Sequence, residues 1–312
     1  MKRANLKPVK LKKRKFTLVA AVALLLANAI PAFAASFDEA RALYTDRKFK
    51  EAYEIAATLA NGGKADAQAM LGNLFENGYG VKKNPVTAAQ WYLAAAKQKH
   101  IGAMFSLAML YLEGRTGKIR MAEAMKWLEK AAKGGHVPAM HNLALLYSGA
   151  GGGKPDWPKA IKWYEMAAKK GFGLSQYNLG LLYLEGKGVK KDKVKAAEWF
   201  KRAALKGVSD AALDYGVMVF RGEGVQRDEK IGAEWLLFAA RNGNVIAQNR
   251  IARLYSTGRG LKQNTIEAIK WHLLASEGGR TDEKLDAFAK AASKADKKKA
   301  RERAAAWRKL RK

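Results

Sequence analysis

The sequence predicts an all-α protein in which pairs of helices stack into a solenoid. Tryptophan recurs six times at an unbroken interval of 36 residues, at Trp91, Trp127, Trp163, Trp199, Trp235 and Trp271. Two more columns keep the step: an alanine from Ala95 to Ala275, and a small residue, Gly or Ala, from Gly72 to Ala252. Such a period indicates supersecondary units that bury their apolar faces against one another. The tryptophans are predicted to fill the joints between units as structural residues.

The first 34 residues predict a secretory signal peptide. Residues 1–15 hold eight Lys or Arg and no acid, residues 16–30 are mostly apolar, and residues 32–34 form a small-x-small cleavage pattern. The apolar run is shorter than the roughly 20 residues of a membrane span, which favours cleavage after Ala34 over a retained anchor. No cysteine follows the run, so no lipid anchor is expected. We therefore expect a periplasmic or secreted bacterial protein.

The chain that remains after cleavage is strongly basic. Residues 35–312 have a formal net charge of +22, and the whole chain contains no Cys. Disulfides and Cys-ligated zinc are thereby excluded. A basic chain usually indicates a nucleic-acid partner, but export would instead bring it to anionic lipid, acidic polysaccharide or acidic protein. The alternative is that Lys and Arg only coat the outward helix faces.

Each 36-residue unit predicts two helices. In residues 172–207, helical spacing of Leu and Tyr over residues 174–185 is broken by a Gly-Lys-Gly loop, and a second helix ends at Gly207. Asp192 stands where the N-cap of this second helix belongs. The same column in the six units reads Asn84, Arg120, Asp156, Asp192, Asp228 and Asn264. Five of these are favourable N-caps, and Arg120 is the exception.

These residues resemble the Sel1-like repeat, a relative of the tetratricopeptide repeat. Residues 65–279 match its pattern in six consecutive units, and the fourth carries Leu179, Gly180, Tyr183, Gly186, Gly188, Val189, Asp192, Ala196, Trp199, Phe200, Ala203, Ala204 and Gly207. Thr116 and Ala150 depart from the pattern, since each replaces a loop glycine. The resemblance implies a right-handed α-solenoid of helix-turn-helix units that serves as a protein-binding scaffold. It names no partner.

Two segments flank the repeats. Residues 35–64 predict a degenerate helix pair that caps the first unit. Residues 280–312 hold thirteen Lys or Arg against five acids, and their helical spacing predicts basic capping helices over the last unit. The alternative is a cationic amphipathic helix on an anionic surface. The candidate residues for such a surface are Lys297, Lys298, Lys299, Arg308, Lys309, Arg311 and Lys312.

The positions that vary between units predict the binding surface. At 100° per residue, the columns of residues 69, 73 and 76 lie opposite the packing face of each first helix, on the expected concave side. The predicted partner-binding stripe consists of Phe105, Met109, Leu112, His141, Leu145, Tyr177, Leu181, Leu184, Leu213, Val217 and Phe220. An exposed apolar surface of this kind is typical of an interaction site. The alternative is that adjacent first helices bury these side chains against each other.

Residues for catalysis or metal binding are few. The four histidines, His100, His136, His141 and His272, lack metal-binding spacing, and the first two share a column that favours helix capping. The glycine-rich residues 149–154 superficially resemble a phosphate loop but stand in register with the inter-helix loops. No S-x-x-K arrangement suits a cell-wall-processing enzyme. No catalytic residue, metal or cofactor is therefore predicted.

The function predicted is that of an exported, non-catalytic scaffold that binds a protein partner through its concave face. The alternative is an envelope-associated module that binds anionic lipid or polysaccharide through its basic body and C-terminal helix. Nucleic acid is not expected as a partner.

Overall fold

A computed structural model describes residues 36–311, so the predicted signal peptide, residues 1–34, lies outside the described residues. The described part of the chain forms sixteen α-helices and no strand. The helices are α1 Phe37–Thr45, α2 Phe49–Asn61, α3 Ala65–Asn77, α4 Pro85–Lys97, α5 Ile101–Leu112, α6 Met121–Lys133, α7 Val137–Tyr147, α8 Trp157–Lys169, α9 Gly173–Glu185, α10 Lys193–Leu205, α11 Ser209–Arg221, α12 Glu229–Arg241, α13 Val245–Thr257, α14 Thr265–Glu277, α15 Glu283–Ala291 and α16 Lys294–Lys309. Among residues 36–311, no helix is both long and apolar enough to cross a membrane.

The helices pack in chain order. From α2 to α13, each helix makes its main contacts with the helix before it and the helix after it, and α14 packs mainly on α13 and α16. The six pairs from α3–α4 to α13–α14 coincide with the six 36-residue units. This arrangement confirms the predicted all-α solenoid. We call the surface formed by α3, α5, α7, α9, α11 and α13 the first-helix face.

The predicted N-caps are confirmed. Five second helices begin with a side chain that accepts a backbone hydrogen bond, for example Asp192, which accepts from the N–H of Lys195 at 3.0 Å. Arg120 makes no cap bond, and its guanidinium lies 4.4 Å from the centroid of the Tyr111 ring. His100 and His136 cap the first helices α5 and α7 through Nδ1. Side chains thus satisfy backbone donors that helix geometry leaves without partners.

The small-residue column brings the two helices of a unit into close contact. A Cβ atom added at Gly180 of α9 would lie 2.5 Å from the ring of Phe200 on α10, and one at Gly72 would lie equally close to the ring of Tyr92. Phe200 is fully buried. At these two joints, glycine therefore leaves the room that a large ring needs.

Replacing Gly180 by alanine is expected to destabilise the protein by about 1–3 kcal/mol, because the new methyl group overpacks the joint by more than the helix gains in propensity. The matched control is Gly102→Ala in the first turn of α5, where the nearest atom, His100 Cε1, lies 3.3 Å from the added Cβ. That change is expected to be neutral or stabilising by up to roughly 1 kcal/mol. Urea unfolding of both variants measures the difference, and an equal effect at the two sites contradicts this account.

The tryptophans of the repeat line the apolar clusters, but they differ in exposure. Trp163 and Trp271 are buried, at 8% and 1% exposed, whereas the other four are half-buried. All six pack in or against the apolar clusters of the joints. Cations cover some of the open ring faces: Lys130 lies over Trp127. The six tryptophans thus bury apolar surface in the joints, and the ring of Trp271 is the most completely buried of them.

Helices beyond the repeats close both ends. At the N-terminal end, the Tyr44 hydroxyl of α1 donates to Asn73 Oδ1 of α3 at 2.6 Å. At the C-terminal end, α16 packs on α14, and the ring of Trp307 meets Trp271 edge-on at 6.1 Å between centroids. Arg303 of α16 also pairs with Glu267 of α14 at 2.8 Å. The last unit is therefore covered by an aromatic contact and an ion pair.

Candidate binding surface

The predicted stripe lies on the first-helix face and is partly covered. Nine of its eleven residues are half-buried: Phe105, Met109, Leu112, Leu145, Tyr177, Leu181, Leu184, Val217 and Phe220. The other two correct the prediction, because His141 and Leu213 are each only 7% exposed and point into the protein. The exposed part of the stripe therefore consists of nine side chains rather than eleven.

Contacts between neighbouring first helices explain the half-burial. The ring of Phe105 on α5 stacks on His136, the N-cap of α7, at 4.4 Å between centroids. The hydroxyl of Tyr177 on α9 donates to Asp214 of α11 at 3.1 Å. Each of these side chains thus covers the joint to the next unit and leaves its remaining surface open.

His141 is buried among aromatic and small side chains. The ring centroids of Phe172 and Tyr164 lie 5.0 and 5.7 Å from its own, and Nδ1 is 2.9 Å from Ser175 Oγ. Burial in these neutral surroundings lowers the pKa of His141 to about 4. The histidine is consequently neutral at physiological pH.

A recess of about 690 Å³ opens on the first-helix face between α11 and α13. Val217 and Phe220, the last residues of the stripe, form part of its wall, so the recess continues the stripe. Its other lining residues are Arg221, Arg227, Leu236, Ile246, Asn249, Arg250, Arg253, Leu254, Thr257, Arg259 and Arg280. The volume lies in the range of ligand-binding clefts in proteins, about 300–1,000 Å³.

Two carboxylates pair with three of the six arginines around the recess. Hydrogen bonds from Arg259 and Arg227 lower the pKa of Glu229 to about 2. Arg253 pairs with Asp282, and although burial alone raises the pKa of this aspartate, its bonds with Arg253 and Asn249 lower it to about 2. These pairs fix one rim of the recess.

The other three arginines are less well compensated. Arg221 has its nearest carboxylate, Glu223, at 3.5 Å. No carboxylate within residues 36–311 forms an ion pair with Arg250 or Arg280. The pKa of Arg250 is lowered first by burial and then by the charges of Arg221, Arg253 and Arg280. The recess therefore has a positive end.

Sequence reasoning missed all six arginines, because only Arg253 falls in the columns assigned to the concave side and the predicted stripe was limited to the central units. An indication was available in the arginine count. Residues 209–280 contain seven arginines, whereas the twice longer segment of residues 65–208 contains three. Arginine forms bidentate bonds with carboxylates and phosphates more readily than lysine does, so its enrichment in the last two units marks them as distinct.

The cations proposed for an anionic surface divide into two groups. Arg311 donates to the carbonyls of Arg241 and Asn242, Arg308 lies 3.5 Å from Glu277, and Lys297 donates to the carbonyl of Lys290. The second group, Lys298, Lys299 and Lys309, is exposed on α16, and Lys312 lies outside the described residues. The first group holds α16 in place, which leaves a smaller basic surface than the sequence suggests.

The remaining polar candidates have structural partners. His272, which is buried, lies with Nε2 at 2.7 Å from Asp286 Oδ1. The glycine-rich residues 149–154 form the loop between α7 and α8. Within residues 36–311, no three His, Cys, Asp or Glu side chains lie close enough together to hold a metal ion.

Comparison with known proteins identifies relatives that share this architecture. The Sel1 repeat model matches residues 65–100, 101–136, 137–172, 173–208, 209–244 and 245–279. A Sel1 repeat protein from Oxalobacter formigenes is 30% identical, with a TM-score of 0.68, over 80% of this chain and 98% of that one.

A protective antigen of uropathogenic Escherichia coli strains, which has an SLR fold, is 24% identical with a TM-score of 0.74, over 87% of this chain. The chain spans 61% of the length of that antigen, and the likeness shows the fold alone. Among curated proteins, no sequence matches. The six consecutive matches and the Oxalobacter relative show that the chain belongs to the Sel1 repeat family.

Proposed function

We propose that this protein is an exported, non-catalytic scaffold that binds a protein partner through its first-helix face. Sel1 repeats typically form protein-interaction scaffolds, and proteins of the family are generally non-catalytic. The observation that carries the proposal is the line of half-buried apolar side chains from Phe105 to Phe220, which ends in an open recess. A partner that covers this line would remove further apolar surface from water.

Export is proposed from the order of basic, apolar and small residues in residues 1–34. It places the protein in the periplasm or outside the cell. Intact-mass measurement of the protein produced in a bacterial host tests this proposal, with the expected mature chain beginning at Ala35. A product that retains Met1 contradicts it.

The binding surface is tested by combining Met109→Glu, Leu145→Glu and Leu181→Glu, which place three carboxylates along the stripe and leave the recess unchanged. We expect the wild type to capture a partner from envelope extracts and the variant to lose it. Because apolar contacts are not screened by salt, the partner is expected to remain bound at high ionic strength. Circular dichroism checks that both proteins are folded.

The matched control combines Ile119→Glu, Val194→Glu and Leu205→Glu, three exposed apolar residues on a loop and on the second helix α10. It adds the same charge away from the first-helix face and is expected to capture the partner normally. Equal capture by all three proteins contradicts the proposal. Binding that disappears at high salt favours the alternative, an anionic lipid or polysaccharide bound through the basic body and α16.

A further inference from the structure

The recess between α11 and α13 differs from the rest of the first-helix face in its charge. Six arginines surround it: Arg221, Arg227, Arg250, Arg253, Arg259 and Arg280. Glu229 pairs with Arg227 and Arg259, and Asp282 pairs with Arg253. The three that remain, Arg221, Arg250 and Arg280, come from the end of α11, from α13 and from the segment after α14. The fifth unit, the sixth unit and the segment that follows it thus each contribute one poorly compensated cation.

Arg250 is the central member of this group. Its Nε atom is buried and has no hydrogen-bond partner within the described chain. A buried donor that has lost water without gaining an acceptor destabilises the fold, and more so when the group is charged. The charges of Arg221, Arg253 and Arg280 add repulsion, and Asp214 offsets it only in part. An anion in the recess would supply the missing negative charge.

The shape of the recess indicates what kind of anion fits. Its volume of about 690 Å³ exceeds what a lone carboxylate or phosphate occupies. Val217, Phe220 and Ile246 supply apolar wall beside the arginines, and the first two continue into the stripe. A ligand that fills the space therefore carries negative charge and apolar groups side by side, and it extends along the first-helix face. An acidic polypeptide segment has these properties.

We propose that the recess binds an acidic segment of the protein partner, so this inference rests on the proposed function. A carboxylate of the segment pairs with Arg250 between Arg221 and Arg280, and charge-assisted bonds of this kind are among the stronger ones in proteins. A neighbouring apolar side chain of the segment packs on Val217 and Phe220. The recess supplies specificity for acidic residues, while the stripe supplies apolar contact area.

Fluorescence anisotropy with labelled, end-capped peptides tests the proposal. The probe alternates Glu and Leu over six residues, and two comparison peptides replace every Glu by Gln or every Leu by Ser. We expect the Glu-Leu peptide to bind more tightly than both. The variant Arg250→Gln is expected to weaken its binding roughly tenfold or more, since a bond to a charged group contributes about 1.5–3 kcal/mol. The control Arg202→Gln removes the same charge from α10, outside the recess, and is expected to bind normally.

Several results would overturn the inference. Equal binding of the Glu-Leu and Gln-Leu peptides, equal loss in the two arginine variants, or no binding at the highest attainable peptide concentration each does so. Binding of inorganic phosphate, or of phosphatidylglycerol vesicles, through Arg250 in the absence of peptide binding would assign the recess to a phosphate ligand.

Partner capture separates this inference from the proposed function. If the stripe substitutions abolish capture but Arg250→Gln does not, the scaffold function stands and the acidic segment is rejected. If the stripe substitutions leave capture intact, the proposed function itself fails.

Discussion

Replacing Trp271 by alanine is expected to lower the free energy of unfolding by about 3–5 kcal/mol. The ring is 1% exposed, lies in the apolar cluster of the last units and makes the edge-on contact with Trp307 that holds α16. Its removal leaves a cavity and also deprives the C-terminal helix of an aromatic partner. Urea unfolding followed by far-ultraviolet circular dichroism measures the loss.

The matched control is Trp199→Ala at the same position of the fourth unit. Trp199 is half-buried, and the guanidinium of Arg202 covers one face of its ring at 4.8 Å. Because solvent already reaches this ring, its removal opens a smaller cavity and is expected to cost less. An equal loss in the two variants would show that these two tryptophans contribute alike and would contradict the effect assigned to burial and to α16.

Acid is expected to destabilise the protein through His141. Above pH 6.5, the ordinary pKa of histidine, the ring is neutral in both the folded and the unfolded state. As the pH falls from 6.5 towards the folded pKa of about 4, the unfolded chain takes up a proton that the folded protein excludes. Stability is therefore complete above pH 6.5 and decreases below it. The loss reaches about 2 kcal/mol near pH 5 and about 3 kcal/mol once the pH passes 4.

The variant His141→Asn separates this effect from other titrations. Urea unfolding at pH 7 and pH 5 is expected to show a smaller decrease in the variant than in the wild type. Part of the decrease remains, because burial also lowers the pKa of His136. Glu229 and Asp282, whose pKa values lie near 2, lose their pairing only at lower pH. The same decrease in both proteins would contradict the assignment to His141.

The fold could be predicted because several independent properties of the sequence repeat together. The tryptophan column, the small column at Gly180 and the cap at Asp192 each report on local geometry, and all three have one period. The close approach of Gly180 to Phe200 depends on two helices of the same unit, which the 36-residue pattern already contains. Because local preferences and the global repeat agree, such a fold can be predicted from its sequence.

The candidate site was less predictable because it depends on the joints between units. Helical periodicity placed His141 on the outward face, but the bulky side chains of Phe172 and Tyr164 cover that part of α7. The positive end of the recess likewise combines Arg221, Arg250 and Arg280, which occupy three different columns. Only the stacking of the last two units and the segment after α14 brings these residues together, so no single repeat shows them as a group.

The two ends of the solenoid are closed by unequal contacts. The short helix α1 buries Ala40 and reaches α3 through the Tyr44 hydroxyl, whereas the longer α16 is fastened to α14 by both Trp307 and Arg303. Since each helix relies mainly on its immediate neighbours, thermal fraying proceeds helix by helix from the more weakly fastened end. Fraying should therefore begin at α1, far along the chain from the arginine recess. The arginine recess is therefore expected to stay assembled while the helices at the opposite end of the solenoid open and close.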